Sequence, residues 1–356
     1  MIKPERSQPA SEQLAAALRE RIVRGDWAPG TRLPPRPALA REMDACLATL
    51  QDAVTRVAQE GFLHIGARKQ GTFVAQFPPH LTRYRLIFPY GPDDWGQFWH
   101  ALEAAAQQIA TPAQEFLCFY GLSGHRDIVE YQAVVDEVLT RRVSGLIFAS
   151  SANELSGTPL LEQPGLPRVA IAAADSLPGI PKVYVDLDGL MRQAVTCLAD
   201  QGCRRIALLC ATHGTVMRDK FRAAMQHSGF PVNTCREQFA SPRHAIVARH
   251  LMELMFQSGN PDRPDGLVIA DDNLVTAATE GLVRAGIKVP AELRVIAATN
   301  FPNILPSHVP VTRIGFDIPA LLDLLVLRLK QLKNGEAPPE TTYVPATVMP
   351  EADGGC

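Results

Sequence analysis

Apolar positions in the first 75 residues recur three times at helical spacing and then change to short alternating runs. Leu14, Leu18, Ile22 and Val23 form one stripe, which predicts a first helix. Ser11 is its expected N-cap, and Gly25 follows the last turn, where a left-handed residue commonly ends a helix. Pro34, Pro35 and Pro37 open a second, short helix, because proline is tolerated in a first turn and not in the interior. Leu39, Ala40 and Met43 are its inward positions. Asp44-Ala45-Cys46 reads as a turn, and residues 49–59 as a third helix with Leu50, Val54 and Val57 inward and Gln51, Thr55 and Arg56 outward. Gly61 ends that helix. Phe62, Leu63 and Ile65 predict one strand and Thr72, Phe73 and Val74 another, with Arg68, Lys69 and Gln70 at the tip between them. Helix, helix, turn, helix and hairpin in that order make a winged helix-turn-helix.

The pattern changes after residue 75. Residues 76–83, which contain Pro78-Pro79, read as a linker. Strands are then predicted at 85–89, 115–120, 145–149 and 169–173, with helices over 95–110 and 128–142 between them. A second half repeats the alternation. Its strands are 183–186, 205–210, 237–240, 266–270 and 293–298, and its helices are 190–199, 217–227, 245–256 and 274–285. A long apolar helix over 319–332 and an extended run over 341–348 close the body. Strands and helices alternating in this way give parallel sheets covered on both faces. The expected fold class is α/β: two lobes with a cleft between them, behind a winged head. The expected domains are a head at 1–75, a linker at 76–83, a two-lobed body at 84–349 and a disordered tail at 350–356.

Composition narrows the function. No apolar run reaches transmembrane length, and the N-terminus lacks a charged-then-apolar leader pattern, so a cytoplasmic location is expected. The seven cysteines are odd in number and never spaced Cys-x-x-Cys, which speaks for a reducing compartment and against a disulfide framework or zinc site. Residues 1–85 carry 13 Lys and Arg against 8 Asp and Glu, and the remainder carries 22 against 29. A basic head on an acidic body suits a nucleic-acid partner. No Gly-rich phosphate loop, nucleophile elbow or metal-ligand spacing is present, so no enzyme, catalytic residue, cofactor or metal is expected.

Residues 11–75 resemble the DNA-binding domain of GntR-type transcription regulators. The matching pieces are Pro29-Gly30, Leu33-Pro34, Leu39-Ala40, Thr49, Ala53, Glu60-Gly61-Phe62 and Gly71-Thr72-Phe73-Val74. The departures are specific. Cys46-Leu47 stands where the family usually has Ser-Arg, Gln51 where it has Arg, and Pro35-Arg36-Pro37 where it has Ser-Glu-Arg. The resemblance implies DNA contacts from Arg36, Leu47, Thr49, Gln51, Thr55 and Arg56, and from Arg68, Lys69, Gln70 and Gly71 on the wing. Gln51 suits an adenine edge in the major groove.

Residues 84–349 resemble the effector domain of LacI-type repressors, which is similar to periplasmic sugar-binding proteins. Arg142-Val143-Ser144-Gly145-Leu146-Ile147, Val183-Tyr184-Val185-Asp186, Pro264-Asp265-Gly266-Leu267-Val268-Ile269-Ala270-Asp271-Asp272 and Val311-Thr312-Arg313-Ile314 carry the likeness. A GntR-type head on a LacI-type sensor resembles arabinose-repressor-like regulators. The implied effector contacts are Asp94, Trp95, Ala149, His213, Arg218, Asp271, Thr299 and Asn300. Strand-end positions such as Ala149 and Ala172-Ala173 are apolar where a sugar needs a polar partner, so the cleft reads as poorer in clamping groups than the family norm. Trp95, Phe98, Trp99 and Leu102 share a helical face, read either as core packing or as a stacking platform. Asp93 and Asp94 are expected to cap the helix that follows them, and Asp186 the helix after it. The implied function is a ligand-responsive regulator, a repressor of carbohydrate-use genes, binding a palindromic operator in double-stranded DNA as a homodimer. Its implied effector is a small molecule of the sugar class, with no membrane partner. The competing reading is a ligand-binding or protein-interaction module whose head has lost its grip on DNA.

Overall fold

The computed structural model describes residues 9–67, 70–121, 129–171, 179–212, 215–257, 260 and 262–349. In chain order these form α1 (Ala10–Arg24), α2 (Arg36–Glu42), α3 (Leu47–Gln59), β1 (Leu63–Ile65), β2 (Thr72–Val74), α4 (Pro79–Thr82), β3 (Arg83–Ile87), α5 (Gln97–Gln108), β4 (Glu115–Phe119), α6 (Val129–Leu139), β5 (Gly145–Phe148), α7 (Pro159–Glu162) and β6 (Arg168–Ile171). There follow β7 (Lys182–Val185), α8 (Leu187–Asp200), β8 (Ile206–Ala211), α9 (Thr215–His227), β9 (Glu237–Ala240), α10 (Ile246–Met255), β10 (Gly266–Ile269), α11 (Val275–Arg284), β11 (Arg294–Phe301), β12 (Thr312–Asp317), α12 (Ile318–Lys333), β13 (Thr341–Val344) and β14 (Thr347–Met349). The chain divides into two compact units. The first is Met1–Gly91, Gln107–Lys182 and Leu325–Glu340, and the second is Pro92–Ala106, Val183–Leu324 and Thr341–Cys356.

The first unit holds the head. Leu14, Leu18 and Ile22 of α1 pack with Leu39 of α2, with Leu50, Val54 and Val57 of α3, and with Phe62 and Val74 of the hairpin. α1 begins at Ala10 under Pro9, whose carbonyl accepts from the Glu12 and Gln13 amides, so Ser11 lies in the first turn and is not the cap. α3 begins at Leu47, two residues earlier than the periodicity predicts, because the Cys46 sulfur accepts from the Thr49 amide at 3.4 Å. The two end glycines behave as expected, with φ of +89° at Gly25 and +92° at Gly61. Arg19, only 5% exposed, ties α1 to the end of α3: Nε meets Glu60 at 2.7 Å and Nη2 meets Glu12 at 2.7 Å.

Where the sequence predicts a linker there is α4, with Pro79, His80 and Thr82 buried. The double proline has the opposite effect from the one expected. Pro78 occupies the cap and Pro79 the first helical position, where a missing N–H costs nothing. The Phe62 and His80 rings then stack at 5.7 Å. Arg83 makes a second fastening. Its Nε reaches Glu115 of β4 at 2.7 Å, its Nη1 the Glu60 carbonyl at 3.3 Å, and its guanidinium covers Gly61. The sheet behind runs β6-β5-β3-β4, all parallel, with Tyr84 facing Gly145 on one side and Phe116 on the other. Leu86, Leu146, Ile147 and Val169 are fully buried there, as strands covered on both faces require.

The second unit carries the sheet β14-β12-β11-β10-β8-β9, parallel except at the β12–β14 edge. β12 is a strand that the hydrophobic pattern did not predict. The predicted final run over 341–348 divides at Pro345-Ala346 into β13, beside β7, and β14, beside β12. Asp186 caps α8 as expected, accepting from the Gly189 amide at 2.8 Å.

Candidate nucleic-acid interface and effector cavity

In the head, α3 buries Leu50, Ala53, Val54 and Val57 and turns its other face to solvent. Leu47 opens that face and is 55% exposed. The Thr49 hydroxyl is held against the Cys46 sulfur at 3.0 Å, and that bond, with the Thr49 amide, keeps the Cys46 thiol below the usual thiol range. The Gln51 amide donates to the Thr55 hydroxyl at 3.2 Å, one turn along the same face. Arg56 is exposed and ion-paired to Glu12 of α1. Arg36 is half-exposed in the first turn of α2, Gln70 is exposed, and Gly71 has φ of +105°. Arg68 and Lys69 lie outside the described residues.

One cation was missed by the sequence reading. Arg32 pairs with Phe73 in an isolated antiparallel bridge, so the segment before α2 adds an edge to the wing. Its exposed guanidinium sits 6.0 Å from the Phe73 ring and against Gly71, where a Cβ would come within 2.6 Å of Nε. Glycine at 71 is therefore also a matter of room for Arg32. The only clue in the sequence was an Arg directly after Pro29-Gly30-Thr31, a segment that reads as loop.

In the second unit a cavity of about 260 Å³ opens at the carboxyl ends of β10, β11 and β12, beside the start of α8. Its polar lining is Gln97, Asp271, Asp272, Asn273, Thr299 and Asn300, and Phe98, Leu190, Met217 and Phe316 supply apolar walls. The groups orient one another. Asp271 accepts from the Asn273 amide at 3.0 Å and its side chain at 2.7 Å, and the Asn273 oxygen accepts from the Gln97 amide at 3.1 Å. Asp272, 7% exposed, accepts from the Asn300 side chain at 2.7 Å. Burial, and then the charge of Asp271, push its carboxyl up to about 6, against the pull of the Asn300 amide.

Of the predicted effector residues, Asp271, Thr299 and Asn300 are brought together here. Asp272, Asn273, Gln97 and Phe98 join them; only the adjoining Asp-Asp and Thr-Asn pairs at strand ends hinted at this set. The others among the described residues do not line the cavity. Arg218 lies on α9 and pairs with Asp219 at 2.9 Å, while its neighbour Met217 takes the wall position. Asp94 belongs to a 3-10 turn, is exposed and is ion-paired to Arg243, so it does not cap α5. Trp95 precedes α5, half-buried and edge-on to Trp99 at 6.1 Å. On the helical face read as core or platform, Leu102 alone is fully buried, and Phe98 alone reaches the cavity. Ala149 is buried at the end of β5 in the first unit, and His213, Ala172 and Ala173 lie outside the described residues.

A raised carboxyl has a definite sign. Asp272 binds its proton more tightly in the folded protein than at the ordinary value of 3.8, so its contribution to stability is complete below that value and lost as pH rises through about 6. Asp272→Asn removes the loss while keeping an acceptor for Asn300. The variant is expected to resist urea better than the parent at about pH 8, by about 2–3 kcal/mol, with the gap closing towards pH 4. Parallel urea curves at several pH values check it.

Residues 10–74 match the family described as bacterial regulatory proteins, gntR family, and residues 195–351 match the periplasmic binding protein-like domain. The chain is 23% identical over 329 residues to the arabinose metabolism transcriptional repressor of Geobacillus stearothermophilus, covering 87% of each. It is 22% identical over 239 residues to catabolite control protein A of Priestia megaterium, covering 65% of this chain and 70% of that one. Among solved structures, a LacI-family regulatory protein from Chloroflexus aggregans superposes with a TM-score of 0.58 at 19% identity, over 76% of this chain and 98% of its own. A LacI-family regulator from Lactobacillus casei with bound sucrose gives 0.57 at 18%, over 76% and 99%. Head and body together define a DNA-binding transcription regulator. Its architecture joins a head that matches the gntR family to a body that matches the periplasmic binding protein-like domain. Among the described residues no helix is long and apolar enough to cross a membrane.

Proposed function

We propose that this protein is a repressor of carbohydrate-use genes that binds an operator through residues 1–75 and senses a small hydroxyl-rich effector through its body at 84–349. In the reading we favour, two copies place α3 in successive major grooves of a pseudo-palindrome, with the wing and Arg32 on the flanking backbone. The supporting observation is one chain carrying both an outward recognition face and a separate polar cavity at strand ends. Asp271 and Asp272 suit hydroxyl donors, Asn273 and Asn300 can donate or accept, and Phe98 and Phe316 offer apolar faces to a ring. Operator and effector affinities are then linked reciprocally, typically by about 1–3 kcal/mol. Residues 76–83 join the two functions, and the cytoplasm is where both partners meet.

Selection of bound sequences from random duplexes, with and without a sugar panel, tests this. A palindromic motif with binding that falls steeply with salt is expected. Equal, weak binding to every duplex would leave the competing reading, a ligand-binding module with a weakened head, which the Arg56–Glu12 pair and the apolar Leu47 favour. Leu47→Arg separates the two. Leu47 stands exposed at the start of α3, so a cation there should tighten operator binding about tenfold and steepen the log–log salt slope by about one. Fluorescence anisotropy at three salt concentrations measures both.

A further inference from the structure

Within the first unit a second cavity, of about 110 Å³, lies where α1, α4, α6 and α12 meet. His80 of α4 faces it and is 7% exposed, and its Nδ1 has no hydrogen-bond partner. Buried imidazole nitrogens are rarely left in that state. Lys333 of α12 enters the same space. Its ammonium donates to the His80 carbonyl and reaches the buried Ser144 hydroxyl at 3.4 Å, which leaves one of three donors uncommitted in these contacts. Arg141, at φ of +59°, completes the polar side and is anchored on the Pro164 carbonyl at 2.9 Å. Among the described residues no carboxylate lines the cavity. The opposite side is apolar, formed by side chains such as Val23, Val138 and Leu166.

Two basic groups thus meet at this cavity, His80 buried and Lys333 reaching in from an exposed position, with no counter-charge among the described lining residues. Burial, helped by Lys333, holds His80 down to about 4; desolvation of the Lys333 ammonium at the cavity mouth lowers it as well, although the residue as a whole is exposed. At about 10–15 Å³ per water the cavity has room for several waters, or for one small organic molecule in their place. An inorganic oxyanion would meet the basic side but desolvate its remaining oxygens against valine and leucine.

We propose that this cavity is a binding site for a small aliphatic carboxylate, with the carboxylate on Lys333 and His80 Nδ1 and the short carbon chain against Val138 and Leu166. Such a ligand fastens the winged head to the body at α4, and the site is independent of the effector cavity. Calorimetric titration of the full chain with propionate, at constant ionic strength and without DNA or sugar, tests it. Saturable binding is expected, together with a melting temperature that rises with propionate concentration. Chloride and phosphate are expected to do neither. Lys333→Gln retains a donor for the His80 carbonyl, and His80→Phe retains the stack on Phe62; each is expected to weaken propionate binding at least tenfold while circular dichroism stays native. Failure of propionate to bind, tighter binding of phosphate, or undiminished propionate binding in both folded variants overturns the proposal.

Discussion

Gly315→Ala is expected to unfold the second unit's sheet at its β11–β12 seam, lowering stability by about 3 kcal/mol or more. Gly315 faces Thr299 in the parallel ladder, and a Cβ there would lie 1.6 Å from the Thr299 carbonyl oxygen, 2.6 Å from its carbon and 2.9 Å from its nitrogen. All three are backbone atoms, so no side-chain rotation relieves the overlap. β11 is held on its far side by β10 and β12 by β14, which leaves neither strand free to move aside. The consequence reaches the effector cavity, because Thr299 and Asn300 are on β11 and line it. Urea denaturation and effector calorimetry should therefore fail together, while the head's affinity for DNA, measured on the isolated 1–75 fragment as a control, cannot respond. A shift under about 0.5 kcal/mol with effector binding intact would show that the strands part more easily than this geometry allows.

Arg19→Met is expected to cost the head about 3 kcal/mol, enough to leave a small domain largely unfolded at 37 °C. Methionine preserves the apolar stem but strands Glu60, whose only ion-pair partner among the described residues is Arg19. Glu12 keeps Arg56, so the loss falls chiefly at the end of α3. DNA binding should vanish at physiological temperature and return on cooling to where the head refolds. The double variant Arg19→Met with Glu60→Gln should recover much of the loss, since it removes the unpaired, half-buried charge as well. Thermal melts of the single and double variants decide the matter.

The head was legible in the sequence because its helices are amphipathic and its stops are glycines. The exceptions were local chemistry. A cysteine sulfur capping α3 and a proline capping α1 fall outside the usual Ser, Thr, Asp and Asn preference, so both starts were misplaced. β12 was missed because Thr-Arg-Ile-Gly-Phe-Asp neither alternates nor runs continuously apolar, and its central glycine answers to a neighbouring backbone that no local pattern reveals. In the cavity, Asp271, Thr299 and Asn300 were readable because strand ends fix their position. Asp94 and Arg218 were not, because each is claimed by an oppositely charged side chain, Arg243 in one case and Asp219 in the other. Phe98 took the place expected of Trp95 because α5 starts two residues late.

Arg83 and the Phe62–His80 stack leave little slack between the end of α3 and the sheet behind it. A head mounted so stiffly works as a caliper and not as a flail. In the proposed dimeric complex, one or two base pairs inserted between half-sites would have to be met by twisting the duplex, so its operators should tolerate changes of sequence far better than changes of spacing.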